Sequence, residues 1–451
     1  MTTKPIRRVL VANRGEIALR VIRACRELGL ETVGVYSEAD RDSLPARAAD
    51  QSVCIGHAPS AKSYLVPQAL VGAALAFGAD AIHPGYGFLS EKTSFARLCE
   101  EQGIIFVGPS SKTIALMGDK IEARRIAREA GVPTTPGSEG AVSNRIDAAR
   151  IAQSIGFPVL LKAAAGGGGR GMRVVERAQE LERLLDEAMG EAQAAFGDAS
   201  IYIERYLTNV RHIEIQVLGD GEDVIHLGER DCSSQRRNQK LVEESPSPAL
   251  DTVLREHIGE AAVALCRKVG YKSAGTVEFV LDQDAGKFYF MEMNTRIQVE
   301  HPVTEMVTGI DLVKWQLRIA MGERLGISQE AIRFHGHAIE CRINAEDHER
   351  GFAPCPGRIS RYLPPGGPGV RVDSHVETGY DVPPYYDSLL AKIICWGRDR
   401  EEALMRMTSA LREMVLEGVK TTIPFHLQLL GDARFRAGQI NTRFVHDVLG
   451  Y

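Results

Sequence analysis

Lys162 closes the apolar start of VLLKAAAGGGGRGMRVVE (residues 159–176) and stands four positions before a run of four glycines at 166–169. A formal G-x-G-x-x-G falls on Gly166, Gly168 and Gly171, but a dinucleotide fingerprint needs a helix after the loop, so that its N-terminus meets the pyrophosphate. Here MRVVE continues as a strand. No G-K-[ST] follows, which excludes a P-loop. What remains is strand, glycine loop, strand, able to lay backbone N–H groups over phosphates while Lys162 supplies charge. Without a function the same segment is a surface hairpin, but glycine loses more backbone entropy on folding than any other residue, and four in a row are poor structural material.

Glu278 and Glu292 lie on GTVEFVLD and FYFMEMN, two alternating segments joined by a turn around QDAG. Simple hairpin pairing sets the two acids opposite each other, an arrangement that repels unless a cation sits between them. Asn294 is two residues on and shares their face. A few carboxylate and amide oxygens with room for phosphate is the magnesium pattern, and no His/Cys cluster argues for zinc. Either acid alone reads as part of a solvated face. The alternation continues through Arg296, Gln298 and Glu300, with Met293, Ile297 and Val299 on the other parity. A fully extended stripe of that length, at about 3.3 Å per residue, is too long for one small site, so the segment must curl if all five polar residues serve one reaction; otherwise it is the wet face of an edge strand.

The elements that must position these residues are legible from periodicity. RRVLVANRGEIALRVIRACRELGLETVGVYS reads as strand, turn, amphipathic helix and strand, and a further unit follows with a helix over 64–77, a strand over 79–83 and the loop PGYGFLSE. The expectation is a doubly wound, Rossmann-like N-terminal domain over 1–118. A helix over 120–130 leads through VPTTPGSEG, a hinge, into the glycine-loop unit. Residues 201–294 alternate as antiparallel strands around a helix over 253–269. The tail has Pro/Gly turns between short strands and a final helix over 401–417, a β-rich C-terminal domain. The fold class is thus α/β and α+β multidomain, with the chemistry at 119–330, a lid at about 135–207, and the last domain at 331–451.

The 451 residues carry a net charge of −5, 44% hydrophobic and 25% charged residues, and eight cysteines. No basic segment points to nucleic acid or an anionic membrane, no C-x-x-C pair or signal peptide appears, and no run reaches transmembrane length. The expectation is a cytoplasmic protein whose partners are small molecules and other proteins.

ANRGEIA, HPGYGFLSE, MGDK, KAAAGGGGRGMR, RDCSSQRRNQK and EMNTRIQVEHPVTE together resemble, in order, the signatures of biotin carboxylases, the ATP-grasp subunit or domain of acetyl-CoA, propionyl-CoA and pyruvate carboxylases. That resemblance implies ATP-dependent carboxylation of biotin by bicarbonate. It makes Lys120, Lys162, Gly168 and Gly169 phosphate-binding residues, Glu204, Arg205, Tyr206 and Leu207 the strand beside adenine, and His212 and Asn238 neighbours of the nucleotide. Glu278, Glu292 and Asn294 become magnesium ligands, with Mn²⁺ as an alternative ion. Lys240, Arg296, Gln298 and Val299 form the bicarbonate pocket, Glu300 is the base, Arg342 stabilises the biotin enolate, and Tyr86 and Gly87 contact biotin. Asn238 replaces a histidine of some relatives, and Ala165 a lid glycine. The resemblance further implies a homodimer working with a biotin carboxyl carrier protein and carboxyltransferase subunits, most like those of acetyl-CoA carboxylase in fatty acid synthesis. Because the chain shows no M-K-M biotinylation segment, biotin is expected on another protein. Other ATP-grasp ligases should lack the R-x-Q-x-E pattern, and a non-catalytic ATP-binding subunit should have lost one of its charges.

Overall fold

The computed structural model describes residues 5–142, 144–163 and 172–450. Near the N-terminus, five parallel strands stand in the order Gln51–Cys54, Glu31–Tyr36, Arg8–Val11, Ala81–His83, Ile105–Phe106. The chain winds outward in both directions from Arg8–Val11, so a switch point opens between the ends of that strand and Ala81–His83. Asn13 bridges it, its amide donating to the Pro84 and Tyr86 carbonyls at 2.7 Å each. The expected helix at 64–77 is shorter, Pro67–Ala76, because Pro67 fits the first turn of a helix and starts it there.

The glycine-loop unit is a three-stranded antiparallel sheet of Met172–Val175, Val159–Ala163 and Ile201–Arg205, covered by helices Arg145–Ile155 and Leu181–Phe196. Lys162 and Glu204 lie on its two longer strands. The hinge sequence before it is bonded on both sides: Phe290 N–H donates to Pro133 O at 2.7 Å, and Ser138 N–H to Ile203 O at 2.8 Å.

The largest element is one eight-stranded antiparallel sheet, in the order Lys287–Asn294, Lys272–Asp282, Val210–Asp220, Val224–Arg236, Gln239–Ser245, His337–Asn344, Leu389–Gly397, Val370–Ser374. Three strands beyond residue 331, His337–Asn344, Leu389–Gly397 and Val370–Ser374, therefore extend the sheet that carries the paired acids, while six shorter ones pair off in three two-stranded sheets. The helix expected at 401–417 spans Arg400–Glu413 and is not the last element. Val415–Glu417 is a short strand, and helices Ile423–Gly431, Ala433–Arg436 and Phe444–Leu449 follow.

One apolar core fills the space between this sheet and helix Thr252–Lys268. Phe279 is buried at its centre, its ring 5.5 Å from that of Phe288 and 6.4 Å from that of Phe290. Phe279→Ala should cost about 3–5 kcal/mol of stability. Urea denaturation checks this, and a loss under about 1 kcal/mol would mean that the core collapses to fill the hole.

Candidate active site

Two long strands, Lys272–Asp282 and Lys287–Asn294, pair with Glu278 opposite Glu292 and Thr276 opposite Asn294. The register slips between Glu278 and Phe279, a β-bulge of the kind that re-aims side chains beside functional sites. The Asn294 amide donates to Glu278 Oε1 at 2.6 Å. The two acids respond differently to being buried. Glu278 loses hydration, but Lys240 and His212 outweigh that and hold its carboxyl well below the usual range. Glu292 is pushed up by burial and then by Glu278, with Lys120 only partly countering. An all-oxygen pair in which one member lacks sufficient counter-charge fits a divalent cation held by Glu278, Glu292 and Asn294.

Beyond Asn294 the backbone leaves the strand, so the alternating stripe is not an extended face. Residues 295–300 bend back, and Glu300 is the N-cap residue of helix His301–Thr308, with Pro302 in its first turn. The bend gathers the polar side chains. The Gln298 amide donates to Glu278 Oε1 at 2.8 Å, Arg296 Nη2 to Asn294 Oδ1 at 2.7 Å, and Arg296 Nε to Glu91 Oε2 at 2.8 Å.

Glu300 is 2% exposed. Lys240 Nζ reaches its Oε1 at 2.7 Å and Arg342 Nη2 its Oε2 at 3.0 Å. Lys240 also bonds Glu214 and stands 3.4 Å from Glu278, and Arg342 donates through Nε to Glu243 at 2.7 Å. Arg230, buried beneath, donates to Gln298 at 2.6 Å and to Glu214 at 3.3 Å. Burial opposes the Glu300 charge, but Lys240, Arg342 and Arg230 outweigh it and keep the carboxyl well below its ordinary range.

These groups form one end of a cleft of about 640 Å³ between the large sheet and the glycine-loop sheet. Lys120, Lys162, Glu204, Arg205, Tyr206, Leu207, His212, Asn238, Lys240, Glu278, Glu292, Asn294, Arg296, Gln298, Val299, Glu300 and Arg342 all line it. Leu160, Ala163, Met172, Phe290 and Met291 add apolar lining to it, the usual character of a small-molecule pocket. Glu204 is gripped there by Lys162 at 2.6 Å and by Arg124. His212 lies 2.9 Å from Glu278 and 2.7 Å from the Gln235 amide. Asn238 sits with Arg237 in a two-residue turn where both have positive φ, +65° and +49°, a conformation that asparagine tolerates well.

Gly168 and Gly169 lie outside the described residues. Tyr86 and Gly87 are not among the residues lining this cleft; the Tyr86 hydroxyl bonds Glu16 and lies within reach of the Arg342 charge. Sequence reasoning missed Glu91, Glu214, Arg230, Glu243 and Arg124. Glu214 shares strand parity with His212, which could have signalled it, whereas no local pattern connects Glu91 to Arg296.

Three family models match in series: the biotin carboxylase N-terminal domain at residues 5–114, the ATP-binding domain of the carbamoyl-phosphate synthase L chain at 119–328, and the biotin carboxylase C-terminal domain at 340–447. A biotin carboxylase of Nostoc sp. is 57% identical over 98% of this chain and 99% of its own length. The biotin carboxylase domain of Hydrogenobacter thermophilus 2-oxoglutarate carboxylase, solved as a dimer with MgADP, ADP and bicarbonate, superposes with a TM-score of 0.92 at 54% identity, covering 98% of each chain. The Campylobacter jejuni biotin carboxylase β-γ-ATP complex gives 0.93 at 49%, covering 98% of this chain and 99% of that one. Fold and cleft together define an ATP-grasp ligase. The chain belongs to the biotin carboxylase family.

A carboxyl held below its ordinary range adds stability that is complete above its unfolded value, about 4.3, and is lost as the pH falls through the lower folded value. The stability difference between wild type and Glu300→Gln should therefore be flat from about pH 8 to pH 5 and shrink toward pH 3. Urea midpoints across that range check it, and a difference that changes between about pH 6 and pH 8 would contradict the ionised state assigned to Glu300.

Proposed function

We propose that this protein carboxylates biotin with ATP and bicarbonate through a carboxyphosphate intermediate, releasing ADP and phosphate. The observation that carries the reading is the convergence of Lys240, Arg296 and Arg342 on the Glu300 end of the cleft, a cationic pocket sized for a small anion beside the place where Lys120, Lys162 and the paired acids would meet the ATP phosphates. Magnesium on Glu278, Glu292 and Asn294 would neutralise phosphate charge.

Bicarbonate is a weak nucleophile. Arg296, Gln298, Lys240 and the Val299 segment would hold it in line with the γ-phosphate while Glu300 removes its proton. In the free protein Lys240 and Arg342 are both committed to Glu300, so a bound anion that draws Lys240 away leaves the carboxylate less stabilised and more basic. Carboxyphosphate then breaks to CO₂ and phosphate, phosphate takes the ureido proton of biotin, and Arg342 stabilises the enolate oxygen. Exclusion of water from the phosphates, for which the glycine-rich sequence at 166–169 is the candidate, would protect the intermediate.

Biotin would arrive on a carrier protein and pass its carboxyl group on at a carboxyltransferase, with two copies of this chain forming the dimer. We place the reaction in acetyl-CoA carboxylase, at the entry to fatty acid synthesis in the cytoplasm. The likeness to the 2-oxoglutarate carboxylase domain supports a second reading, the same half-reaction serving another carboxylase. Identifying the biotinylated protein that co-purifies separates the two.

ATP cleavage by the purified protein should require bicarbonate and Mg²⁺ and rise with free biotin; equal ADP formation in bicarbonate-free buffer would sink the reading. Glu300→Gln should keep ATP affinity by calorimetry while bicarbonate-dependent single-turnover ADP formation falls by about 10²–10⁴. A fall smaller than about tenfold, roughly 1.4 kcal/mol, would remove Glu300 from the role of base.

A further inference from the structure

Lys392 is fully buried, and none of the steps above uses it. It sits on strand Leu389–Gly397, opposite Arg342 on one side and Asp373 on the other. Its ammonium donates to the Val299 carbonyl at 2.6 Å and stands 3.1 Å from Glu16 Oε1. Burying an ammonium is costly unless it is paired and hydrogen-bonded, and cations directly opposed across strands repel. The bland explanation is a counter-ion for the acids around it, Glu16, Glu340 and Asp373.

The contacts argue otherwise. Glu16 Oε2 and both oxygens of Glu340 are buried with no hydrogen-bond partner among the described residues, while the ammonium spends its shortest bond on a neutral peptide carbonyl. That carbonyl belongs to the residue before Glu300. The Val299–Glu300 peptide is planar, so fixing its oxygen fixes the direction of the Glu300 N–H and the position of its Cα. Arg342 holds the carboxylate of the same residue at 3.0 Å. Two neighbouring cations of one sheet thus grip one turn at successive points, one by the side chain and the other by the backbone. Glu16 follows the switch point of the N-terminal sheet and accepts from Tyr86, so the grip is anchored outside the ATP-binding region.

We propose that Lys392 is a positioning residue for bicarbonate, setting the Val299–Glu300 peptide so that the Glu300 carboxylate and the Arg296–Val299 wall face the same anion. This rests on the function proposed above.

The test compares Lys392→Arg with wild type, and adds Lys392→Met in a Glu16→Gln background so that the one acid in direct contact with the ammonium is neutralised with it. Arg keeps the buried charge but places its donors differently, so a counter-ion role predicts wild-type kinetics for Lys392→Arg, whereas a positioning role predicts a rise of about tenfold or more in the KM for bicarbonate, with the calorimetric ATP affinity unchanged. The double variant should show at least the same rise. An unchanged bicarbonate KM in Lys392→Arg, or a parallel loss of ATP affinity, overturns the proposal. Wild-type ATP cleavage that ignores bicarbonate would overturn the proposed function instead, so the two failures are distinguishable.

Discussion

Glu214, Glu278 and Glu300 are all buried within reach of one ammonium, Lys240, and this concentration of negative charge away from water is the constraint on which the rest of the structure depends. A buried carboxylate left alone would take up a proton instead of staying ionised. Keeping Glu278 and Glu300 charged therefore requires Lys240, Arg230, His212 and Arg342, and each comes from a different strand of the large sheet. The C-terminal strands join that sheet at the register that delivers Arg342 beside Glu300. Sheet continuity across the whole second half of the chain is thus an electrostatic requirement as well as a packing result.

The same logic divides the cleft. At one end burial, and after it the neighbouring Glu278, leave Glu292 pushed up and the site receptive to positive charge. A few ångströms on, Arg296, Lys240 and Arg342 make it receptive to an anion. Opposite preferences held side by side by a rigid sheet suit a reaction in which a metal-bound polyphosphate must meet a small anion without either displacing the other.

Much of this was legible in the residues themselves. The opposition of Glu278 and Glu292 was expected from simple hairpin pairing, but the register that starts at Asp282 opposite Lys287 would set Glu278 against Met291, and it is the bulge between Phe279 and Glu278 that brings Glu292 opposite. The polar parity of residues 292–300 pointed to the right side chains by way of the wrong backbone: the strand stops at Asn294, and the Glu-His-Pro that opens a helix at 300–302 was the overlooked sign, since proline favours the first helical turn. Contacts such as Arg296 with Glu91, 205 residues apart, or Lys392 with Val299, leave no periodic trace, because they depend on how separate units pack and not on any local pattern. The bond from the Tyr86 hydroxyl to Glu16 is another such contact, which the loop motif around Tyr86 gives no sign of.

The connector at residues 133–138 is held along both margins, by Phe290 on the large sheet and by Ile203 on the small one, with Arg205 N–H reaching back to Pro136 O at 2.8 Å. A strap tethered at a single point could swivel and slide. A ribbon stitched along two edges behaves like the leaf of a piano hinge, resisting shear and twist and yielding mainly to flexing across its width. Lys162 and Glu204 ride on paired strands of the same leaf, so any displacement of that leaf carries both together.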